Sequence, residues 1–443
     1  MKKAKRLTLL IGDLFVLYIS LCLALLIRYG SNFDLNKLEQ HIWPFTIIYF
    51  LWIIVFFIAG LYELSIARND ILFYNTLLRG LLINAGLAIT FFYFIPYFGI
   101  TPKTNLFLTL GIFAILFSIW RNIYNYLIKS SALLNDVLII GENKEIEQID
   151  KIVKDNPQFG YRIIEKIRPQ DIHTPFDLLE MVSKKNIKTI VTAIDPHENS
   201  KLVQSLYQCL PLKINFSDLP SFYEKVLGKV PISSIGEIWF LENLTESQKN
   251  FYEAAKRAFD MIGSFVFGII SLIFYPFIIL AIKLDSPGPI FFTQRRISQD
   301  GQIFKVLKFR SMIEDAEKNG AQWADKEDYR ITRVGNFLRK TRLDELPQMW
   351  NIFSGQMSFI GPRPERIEFV QQLEKEISYY QIRHIVKPGL TGWAQVNFRY
   401  GASVQDSIEK LQYELYYIKH RSLVLDLSIL LRTIKIVLIG GGR

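Results

Sequence analysis

The sequence predicts a membrane protein in which an α-helical membrane part is joined to soluble α/β parts. Four long apolar stretches lie within the first 130 residues, and strand-like and helix-like segments alternate over residues 131–250. A further apolar run, interrupted by Pro276, precedes a charged region that continues to residue 443. We therefore predict a four-helix transmembrane unit (1–130), a Rossmann-like parallel-sheet domain (131–250), a re-entrant membrane helix hairpin (251–285) and a mixed α/β cytosolic domain with interfacial helices (286–443).

The composition agrees with a membrane protein that carries soluble parts. Hydrophobic residues make up 50% of the chain, including 34 Phe and 21 Tyr. With this apolar content, the formal net charge of +10 favours anionic lipid headgroups and phosphate-bearing substrates as partners over nucleic acid. Two cysteines, Cys22 and Cys209, and five scattered histidines provide neither a disulfide framework nor the ligand spacing of a metal cluster.

Each of the four apolar stretches is about long enough to cross the core of a bilayer. They cover residues 7–28, roughly 42–62, 78–98 and 105–124, and we expect almost no polar groups inside them. The first follows a charged start but lacks a small-residue cleavage site, which predicts a retained anchor. Basic residues concentrate before the first stretch, between the second and third and after the fourth, so both ends of the unit are predicted to be cytoplasmic. These residues are Lys2, Lys3, Lys5, Arg6, Arg68, Arg79, Arg121 and Lys129, against Lys37 and Lys103 in the other loops.

Residues 131–250 show the alternation of strands and helices that is typical of a parallel sheet. Strands are predicted at 136–141, 187–194 and 212–216, and helices at 143–156, 175–185 and 198–209. Dinucleotide binding is an alternative, but only Gly141 stands where such a site needs three glycines, so side chains would keep a pyrophosphate away from the backbone. A regulatory or dimerising domain is the favoured interpretation.

The uncharged run from Met261 to Ile282 permits two topologies. About 20 apolar residues suffice for a fifth crossing of the membrane. However, Pro276 removes a backbone donor and clashes one turn back, so it favours a bend that returns the chain to the side from which it came. Lys256 and Arg257, just before the run, suit the phosphate layer of a bilayer. We favour the re-entrant hairpin.

Residues 339–365 combine acid, base and a rigid turn. Asp344 and Glu345 are adjacent, two arginines precede them, and a Gly-Pro-Arg-Pro turn that contains Arg363 follows. Carboxylates hold Mg²⁺ through oxygen or attack phosphorus directly, and arginines present a fork of donors to phosphate oxygens. A solvated helix face beside an ordinary turn is the plain alternative, since surface charge pairs are common. The combination favours a phosphoryl-transfer site.

Five blocks in about the last 190 residues of the chain resemble the bacterial sugar transferase family, the polyprenyl-phosphate glycosyl-1-phosphate transferases of the monotopic type. The blocks are Phe292-Thr-Gln-Arg-Arg296, Lys308-Phe-Arg-Ser-Met312, Arg342-Leu-Asp-Glu-Leu-Pro-Gln348, Met357-Ser-Phe-Ile-Gly-Pro-Arg-Pro-Glu365 and Lys387-Pro-Gly-Leu-Thr-Gly-Trp-Ala-Gln-Val-Asn397. The Asn-Phe-Arg-Tyr-Gly-Ala-Ser segment that starts at Asn397 resembles the exopolysaccharide branch of this family.

The resemblance implies a role for each matching residue. Asp344 would be the nucleophile, and Glu345 would complete a dyad close to a Mg²⁺ ion, so both are candidate metal ligands. Arg339 and Arg363 match positions that grip phosphate. Weaker candidates are Lys308 and Arg310 for phosphate, and Gln395 and Asn397 for the nucleotide or sugar pocket. Two departures from the family pattern, Phe398 for glycine and Glu414 for aspartate, leave the sugar unassigned. A third, Tyr275 for serine before Pro276, leaves the angle of the hairpin open.

The same resemblance implies the reaction, the partners and the location. A UDP-sugar would donate a sugar 1-phosphate to polyprenyl (undecaprenyl) phosphate and release UMP, as the first membrane step of exopolysaccharide synthesis. The enzyme would be a multi-pass protein of the bacterial inner membrane, expected as a homodimer. A fifth crossing would place the region after residue 285 outside the cell, away from nucleotide sugars, which again favours the re-entrant hairpin.

Two further helices are predicted near the C-terminal end, and three other classes of protein are alternatives to the transferase. Residues 366–384 are predicted to form an amphipathic helix, and residues 422–438 an interfacial helix because of their charges.

A scaffold with an inactive transferase domain would have no reason to keep the acidic dyad beside intact arginines. A transporter would need polar groups inside its transmembrane helices, and a nucleic-acid-binding protein would need a recognisable nucleic-acid-binding motif. Release of UMP from UDP-sugars separates all three from the transferase.

Overall fold

The computed structural model describes residues 2–63, 69–95, 103–129, 134–172, 175–194, 200–244, 249–314, 316, 328–398 and 403–438. The chain divides into two compact units, Met1–Val226 and Leu227–Arg443. The first unit contains the four apolar helices together with a parallel sheet, and the second contains the acidic dyad. The domain boundaries at 130, 250 and 285 that the sequence suggests stay predictions.

Four helices of the first unit are long and apolar enough to cross a membrane, within the described part of the chain. They are α1 (Lys2–Tyr29), α2 (Leu35–Ala59), α3 (Ile71–Phe94) and α4 (Lys103–Lys129). The side chains of Asp34 and Asp70 accept from backbone N–H groups at the starts of α2 and α3, so these helices begin about seven residues before the apolar stretches. Arg79 therefore lies inside α3, and Arg68 falls outside the described residues.

The expectation that these helices hold almost no polar groups is wrong. Asp13 of α1 and Arg121 of α4 are 0% and 1% exposed and form an ion pair of 2.7 Å. Arg121 also donates to the backbone carbonyl of Leu61, so it is not a free loop charge at the end of the fourth helix. Asn105 bonds to the ring of the buried His41 at 2.8 Å. These contacts pair polar groups of different helices, α1 with α4 and α2 with α4, and so tie the helices together.

The first unit also contains a four-stranded parallel sheet in the order β2-β1-β3-β4. Its elements are β1 (Asn135–Ile140), α5 (Lys144–Asp155), β2 (Tyr161–Ile167), α6 (Pro175–Lys184), β3 (Thr189–Thr192), α7 (Ser200–Gln208), β4 (Asn215–Asp218) and α8 (Leu219–Leu227). The predicted strand at 212–216 begins later, after a short 3₁₀ turn, and β2 was not predicted because its side chains are mostly exposed or half-buried. Gly141 has φ +128°, and a Cβ there would lie 2.7 Å from the Ala193 side chain, so this glycine serves strand packing.

The second unit is a mixed α/β structure. Its first elements are α9 (Glu237–Asn243), α10 (Asn250–Leu272), α11 (Tyr275–Asp285), β5 (Phe291–Ile297), β6 (Ile303–Phe309) and α12 (Arg333–Thr341). They are followed by α13 (Gln348–Phe353), β7 (Ser358–Ile360), α14 (Ile367–Glu376), β8 (Gly389–Thr391), α15 (Trp393–Asn397), α16 (Val404–His420) and α17 (Leu423–Leu438). Strands β5 and β6 form an antiparallel hairpin, whereas β7 and β8 pair in parallel.

The apolar run is bent as Pro276 suggested. Helices α10 and α11 meet at 59°, with Ile273 and Phe274 between them and Pro276 in the first turn of α11. A proline is tolerated in a first turn because the N–H that it lacks has no partner there in any case. The bend is compatible with a broken span or with a re-entrant hairpin.

Of the two C-terminal helices that the sequence predicts, the first is shorter than expected. The helix predicted over 366–384 ends at Glu376, because Ile377 is extended and Tyr379 adopts a left-handed conformation before a 3₁₀ turn at Tyr380–Ile385. In α17 the charges do not simply face solvent: Asp426 is buried and accepts from Tyr252 at 2.8 Å and from Lys256 at 3.1 Å. The interfacial location of α17 stays a prediction.

Candidate active site

The acidic dyad sits on a short turn between two helices. Helix α12 ends at Thr341, and Arg342 reverses the chain with φ +61° while its N–H bonds back to the carbonyls of α12. Asp344 and Glu345 follow in the 3₁₀ turn Leu343–Glu345, and α13 starts three residues later. Both carboxylates are only 6% exposed. The turn therefore places two adjacent acidic side chains in a buried position, where charge interactions are strong.

Three cations surround Glu345. Its Oε1 lies 3.0 Å from Lys308 Nζ, 3.0 Å from Arg363 NH2 and 3.6 Å from Arg342 NH1. These side chains come from β6, from the turn after β7 and from the dyad's own turn. Burial opposes the ionisation of Glu345, but Lys308, Arg363 and Arg342 outweigh it and hold its pKa well below the ordinary value. Glu345 is therefore an ionised carboxylate whose charge is balanced by ion pairs with neighbouring cations.

Asp344 has a different environment from its neighbour. Its Oδ1 is buried and accepts no hydrogen bond from the described residues. Burial, and then the negative charge of Glu345, raise the pKa of Asp344, although Lys308, Arg339 and Arg342 oppose the shift. A buried carboxylate oxygen without a donor is more basic and more reactive than one held in an ion pair. The structure thus distinguishes the two acids that the sequence places side by side.

The turn that carries Arg363 is held by close backbone packing. A Cβ on Gly361 would lie 2.3 Å from the carbonyl oxygen of Lys387, so only glycine fits between β7 and the segment before β8. The carbonyl of Arg363 accepts from Arg383 NH2 at 2.9 Å. Arg383 in turn forms a bidentate pair with Glu414, with both nitrogen–oxygen distances at 2.8 Å. This frame fixes the position from which Arg363 reaches Glu345.

Two further arginines that the sequence predicted as phosphate-binding have different positions. Arg339 lies near the dyad, whereas Arg310 has structural contacts. Arg339 is close enough to lower the pKa of Asp344, and its Nε donates to Ser311 Oγ at 2.8 Å. Arg310 is buried, and its NH2 donates to the Ser286 carbonyl at 2.7 Å, so its contacts hold the turn after α11.

Gln395 and Asn397 lie on α15 and bond within the scaffold. Gln395 Nε2 donates to the Leu390 carbonyl at 3.1 Å. Asn397 Oδ1 accepts from Arg432 of α17 at 2.7 Å. Their predicted contact with a nucleotide or sugar stays a prediction.

Sequence reasoning gave no role to three residues that the structure brings to this region. Arg342 belongs to the quoted Arg-Leu-Asp-Glu block, and its position two residues before Asp344 was the available signal. Glu365 ends the quoted Met357–Glu365 block, which was its available signal, whereas Arg383 lies outside the quoted blocks. Glu365 pairs with Lys410 and lies 3.8 Å from Arg296, and these cations together with Arg383 outweigh its burial and lower its pKa to about 2.

The dyad fits a magnesium ion only with help from a substrate. No group of three or more His, Cys, Asp and Glu side chains that could hold a metal occurs among the described residues. Mg²⁺ is commonly bound by one or two carboxylates together with substrate phosphates and water. The unpartnered Oδ1 of Asp344 provides one suitable oxygen, and Glu345 is its neighbour.

Comparison with known proteins decides the family. The family model described as bacterial sugar transferase matches residues 251–440, which include the whole dyad region. The UDP-glucose:undecaprenyl-phosphate glucose-1-phosphate transferase of Xanthomonas campestris pv. campestris is 32% identical over 335 residues, which cover 71% of this chain and 68% of that protein. The chain belongs to the bacterial sugar transferase family. The resemblance carried by the five sequence blocks is confirmed.

Other members of the bacterial sugar transferase family differ in the sugar that their names specify. The UDP-N-acetylgalactosamine-undecaprenyl-phosphate N-acetylgalactosaminephosphotransferase of Aeromonas hydrophila is 41% identical over 241 residues, 54% of this chain and 55% of that protein. The UDP-glucose:undecaprenyl-phosphate glucose-1-phosphate transferase of Escherichia coli (strain K12) is 34% identical over 280 residues, 62% of this chain and 56% of that protein. The chain spans about half the length of these two relatives.

Proposed function

We propose that this protein transfers a sugar 1-phosphate from a UDP-sugar to polyprenyl phosphate, of the undecaprenyl type, and releases UMP. The observation that carries the proposal is the difference between the two acids: a buried Asp344 oxygen that no described residue donates to, beside a Glu345 held by three cations. Family membership supports the same class of reaction, since the named relatives act on UDP-sugars and undecaprenyl phosphate.

The proposed mechanism has two displacements at the same phosphorus atom. Asp344 Oδ1 attacks the sugar-linked phosphorus of the UDP-sugar, the bond from that phosphorus to the bridging oxygen breaks, and UMP leaves. A phosphate oxygen of the polyprenyl phosphate then attacks the Asp344 acyl phosphate. The carboxylate of Asp344 is regenerated, and the sugar phosphate stays on the lipid as a diphosphate.

The three cations around Glu345 are suited to neutralise the negative charge that develops on phosphate oxygens in these two steps. Arg363 and Arg342 present planar donors, and Lys308 adds a compact positive charge beside the same carboxylate. Phosphoryl transfer depends mainly on positioning and on neutralising phosphate oxygens, and these groups supply both. When bound by Asp344, Glu345 and the substrate's phosphates, Mg²⁺ would supply further neutralisation of the diphosphate.

An assay for UMP tests this function directly. Purified protein is mixed with Mg²⁺, polyprenyl phosphate and one of a panel of UDP-sugars, and released UMP is measured. We expect UMP from at least one UDP-sugar, and the panel identifies the sugar, since the relatives' names divide between glucose and N-acetylgalactosamine. Absence of UMP with every donor would favour a scaffold with an inactive transferase domain.

Arg363→Lys should lower the rate of UMP release by roughly tenfold or more. Lysine keeps the charge but loses the planar fork that binds two oxygens at once, and about 1.4 kcal/mol of lost phosphate contact produces a tenfold effect. The measurement is kcat/KM for the preferred UDP-sugar. Lys375→Arg is the matched control, since Lys375 is exposed on α14. Unchanged kinetics in Arg363→Lys would give Arg363 a structural role alone.

We also propose that α10 and α11 form a re-entrant hairpin, with both ends on the cytoplasmic face. The bend of 59° and Pro276 support this topology, and it keeps the dyad on the side where nucleotide sugars are made. An impermeant thiol reagent should leave Gln302→Cys unlabelled in intact cells and label it after lysis. Gln302 is a suitable position because it is exposed beside the β5–β6 turn. The test uses a chain in which Cys22 and Cys209 are replaced, since both are free cysteines.

Ser31→Cys is the control for the opposite face, because Ser31 is exposed between α1 and α2. It should be labelled in intact cells. Labelling of Gln302→Cys in intact cells would make α10 and α11 one bent crossing and would overturn the hairpin. The predicted homodimer is a separate question that neither experiment addresses.

A further inference from the structure

A second basic site lies at the start of α10. It is a cavity of about 220 Å³ within the second unit, and its charged lining consists of Lys256, Arg257, Lys387, Arg421, Glu253 and Asp260. None of these six belongs to the cluster formed by Asp344, Glu345, Lys308, Arg342 and Arg363. The cavity is therefore distinct from the proposed catalytic centre.

The carboxylates at this cavity are already engaged. Asp260 is 3% exposed, and its Oδ1 accepts from the Phe359 N–H at 3.0 Å and from the Ser358 hydroxyl at 3.1 Å. Glu253 Oε1 lies 3.0 Å from Arg421 Nε. Behind the cavity, Asp426 pairs with Lys256 at 3.1 Å.

Among the described residues, two cations of the cavity, Arg257 and Lys387, form no ion pair with a carboxylate. Arg257 donates to the neutral carbonyls of Ile352 and Phe353, at 2.9 and 2.8 Å. Lys387 is half-buried, and in the part of the chain that the structure describes it forms neither an ion pair nor a hydrogen bond. Burial, and next the charge of Arg257, lower the pKa of Lys387, and the charges of Asp260 and Glu253 oppose this shift without cancelling it. An anion between these two side chains would relieve the repulsion.

Exposed apolar side chains follow two of the lining residues along the chain. Phe259 and Ile262, just after Arg257 on α10, are 46% and 65% exposed. Leu423 and Val424, just after Arg421 at the start of α17, are 47% and 81% exposed. Helix α10 also belongs to the bent pair that is apolar enough to enter a membrane. A partner that fits both features carries an anion at one end and hydrocarbon at the other.

We propose that this cavity binds the phosphate group of a membrane lipid, with Lys387 and Arg257 as its principal donors. The bound phosphate would hold the start of α10 at the depth of the lipid headgroups, and basic side chains are attracted to that layer. The site would serve this purpose whether or not the chain releases UMP, so the proposal does not rest on the transferase activity.

Native mass spectrometry of the full chain tests the proposal. Detergent-solubilised protein is titrated separately with phosphatidylglycerol, with polyprenyl phosphate and with inorganic phosphate, and the retained mass is measured. For the lipid that binds, Lys387→Gln should weaken retention by about fivefold, because one basic residue near an anionic lipid contributes about that much. Lys387→Arg should restore it, and Lys375→Gln is the control for loss of an exposed lysine.

Each result has a definite meaning. Loss of phosphatidylglycerol or of polyprenyl phosphate in Lys387→Gln alone supports a lipid-phosphate site and identifies its lipid. Equal retention in Lys387→Gln and Lys375→Gln overturns the proposal, as does binding of inorganic phosphate without either lipid. Thermal unfolding of Lys387→Gln should match that of the unaltered protein, since Lys387 has no bonded partner among the described residues to lose.

Discussion

Asp344→Asn should stop the release of UMP, with a loss of more than about 10⁴-fold, because the amide cannot attack phosphorus and form a stable acyl phosphate. The replacement is nearly isosteric and opens no cavity at a site that is 6% exposed, so the protein should remain folded. Intact-protein mass spectrometry after mixing with UDP-sugar in the absence of lipid acceptor gives the direct measurement. A sugar-phosphate mass should be added to the unaltered chain and be absent from Asp344→Asn.

Glu345→Gln is the matched comparison. It removes the charge that Lys308, Arg342 and Arg363 surround, so we expect chemistry slower by roughly 10²–10⁴-fold, with a detectable adduct on Asp344. An adduct that survives in Asp344→Asn and vanishes in Glu345→Gln would exchange the two assignments. UMP release without any adduct, in any active form of the protein, would indicate direct attack by the lipid phosphate.

Glu414→Ala should destabilise the second unit by about 3–5 kcal/mol, because it leaves the buried Arg383 guanidinium without its counter-charge. Both side chains are 2% exposed or less, and two hydrogen bonds of 2.8 Å join them. The measurement is the midpoint of denaturant or thermal unfolding, followed through the tryptophans. UMP release should fall as well, since Arg383 also holds the carbonyl of Arg363.

A double variant separates lost charge pairing from lost volume. Arg383→Met combined with Glu414→Leu replaces the pair by apolar side chains of similar size, and such replacements are often neutral or stabilising. We expect the double variant to be more stable than Glu414→Ala. A double variant as unstable as the single one would mean that the pair's hydrogen bonds to its surroundings, such as those from Arg383 to Tyr380 and to the Arg363 carbonyl, carry the stability.

The features that the sequence predicted are those that short segments determine. Apolar length is sufficient to predict four long helices, and the adjacency of Asp344 and Glu345 is sufficient to place both on one turn. Pro276 likewise marks a bend because proline lacks a backbone donor and clashes with the preceding helical turn. Each of these inferences needs no knowledge of distant residues.

The features that the sequence did not predict depend on partners far along the chain. Lys308 and Arg310 belong to the same block, yet β6 ends at Phe309, so Lys308 reaches Glu345 while Arg310 turns to Ser286. The helix predicted through residue 384 stops early, and the turn that replaces it brings Arg383 to Glu414. No periodicity in a single segment reports such pairings.

The ion pair between Asp13 and Arg121 has a consequence for how the protein is made. The two residues are 108 positions apart, so the ribosome completes α1 long before the partner of Asp13 exists. A lone carboxylate at the centre of a membrane helix costs about 2.5–3.5 kcal/mol on insertion. The apolar side chains of α1, whose mean hydropathy reaches 2.5, must therefore offset this cost alone until α4 is synthesised, and a chain truncated before residue 121 should hold α1 less stably than the full chain does.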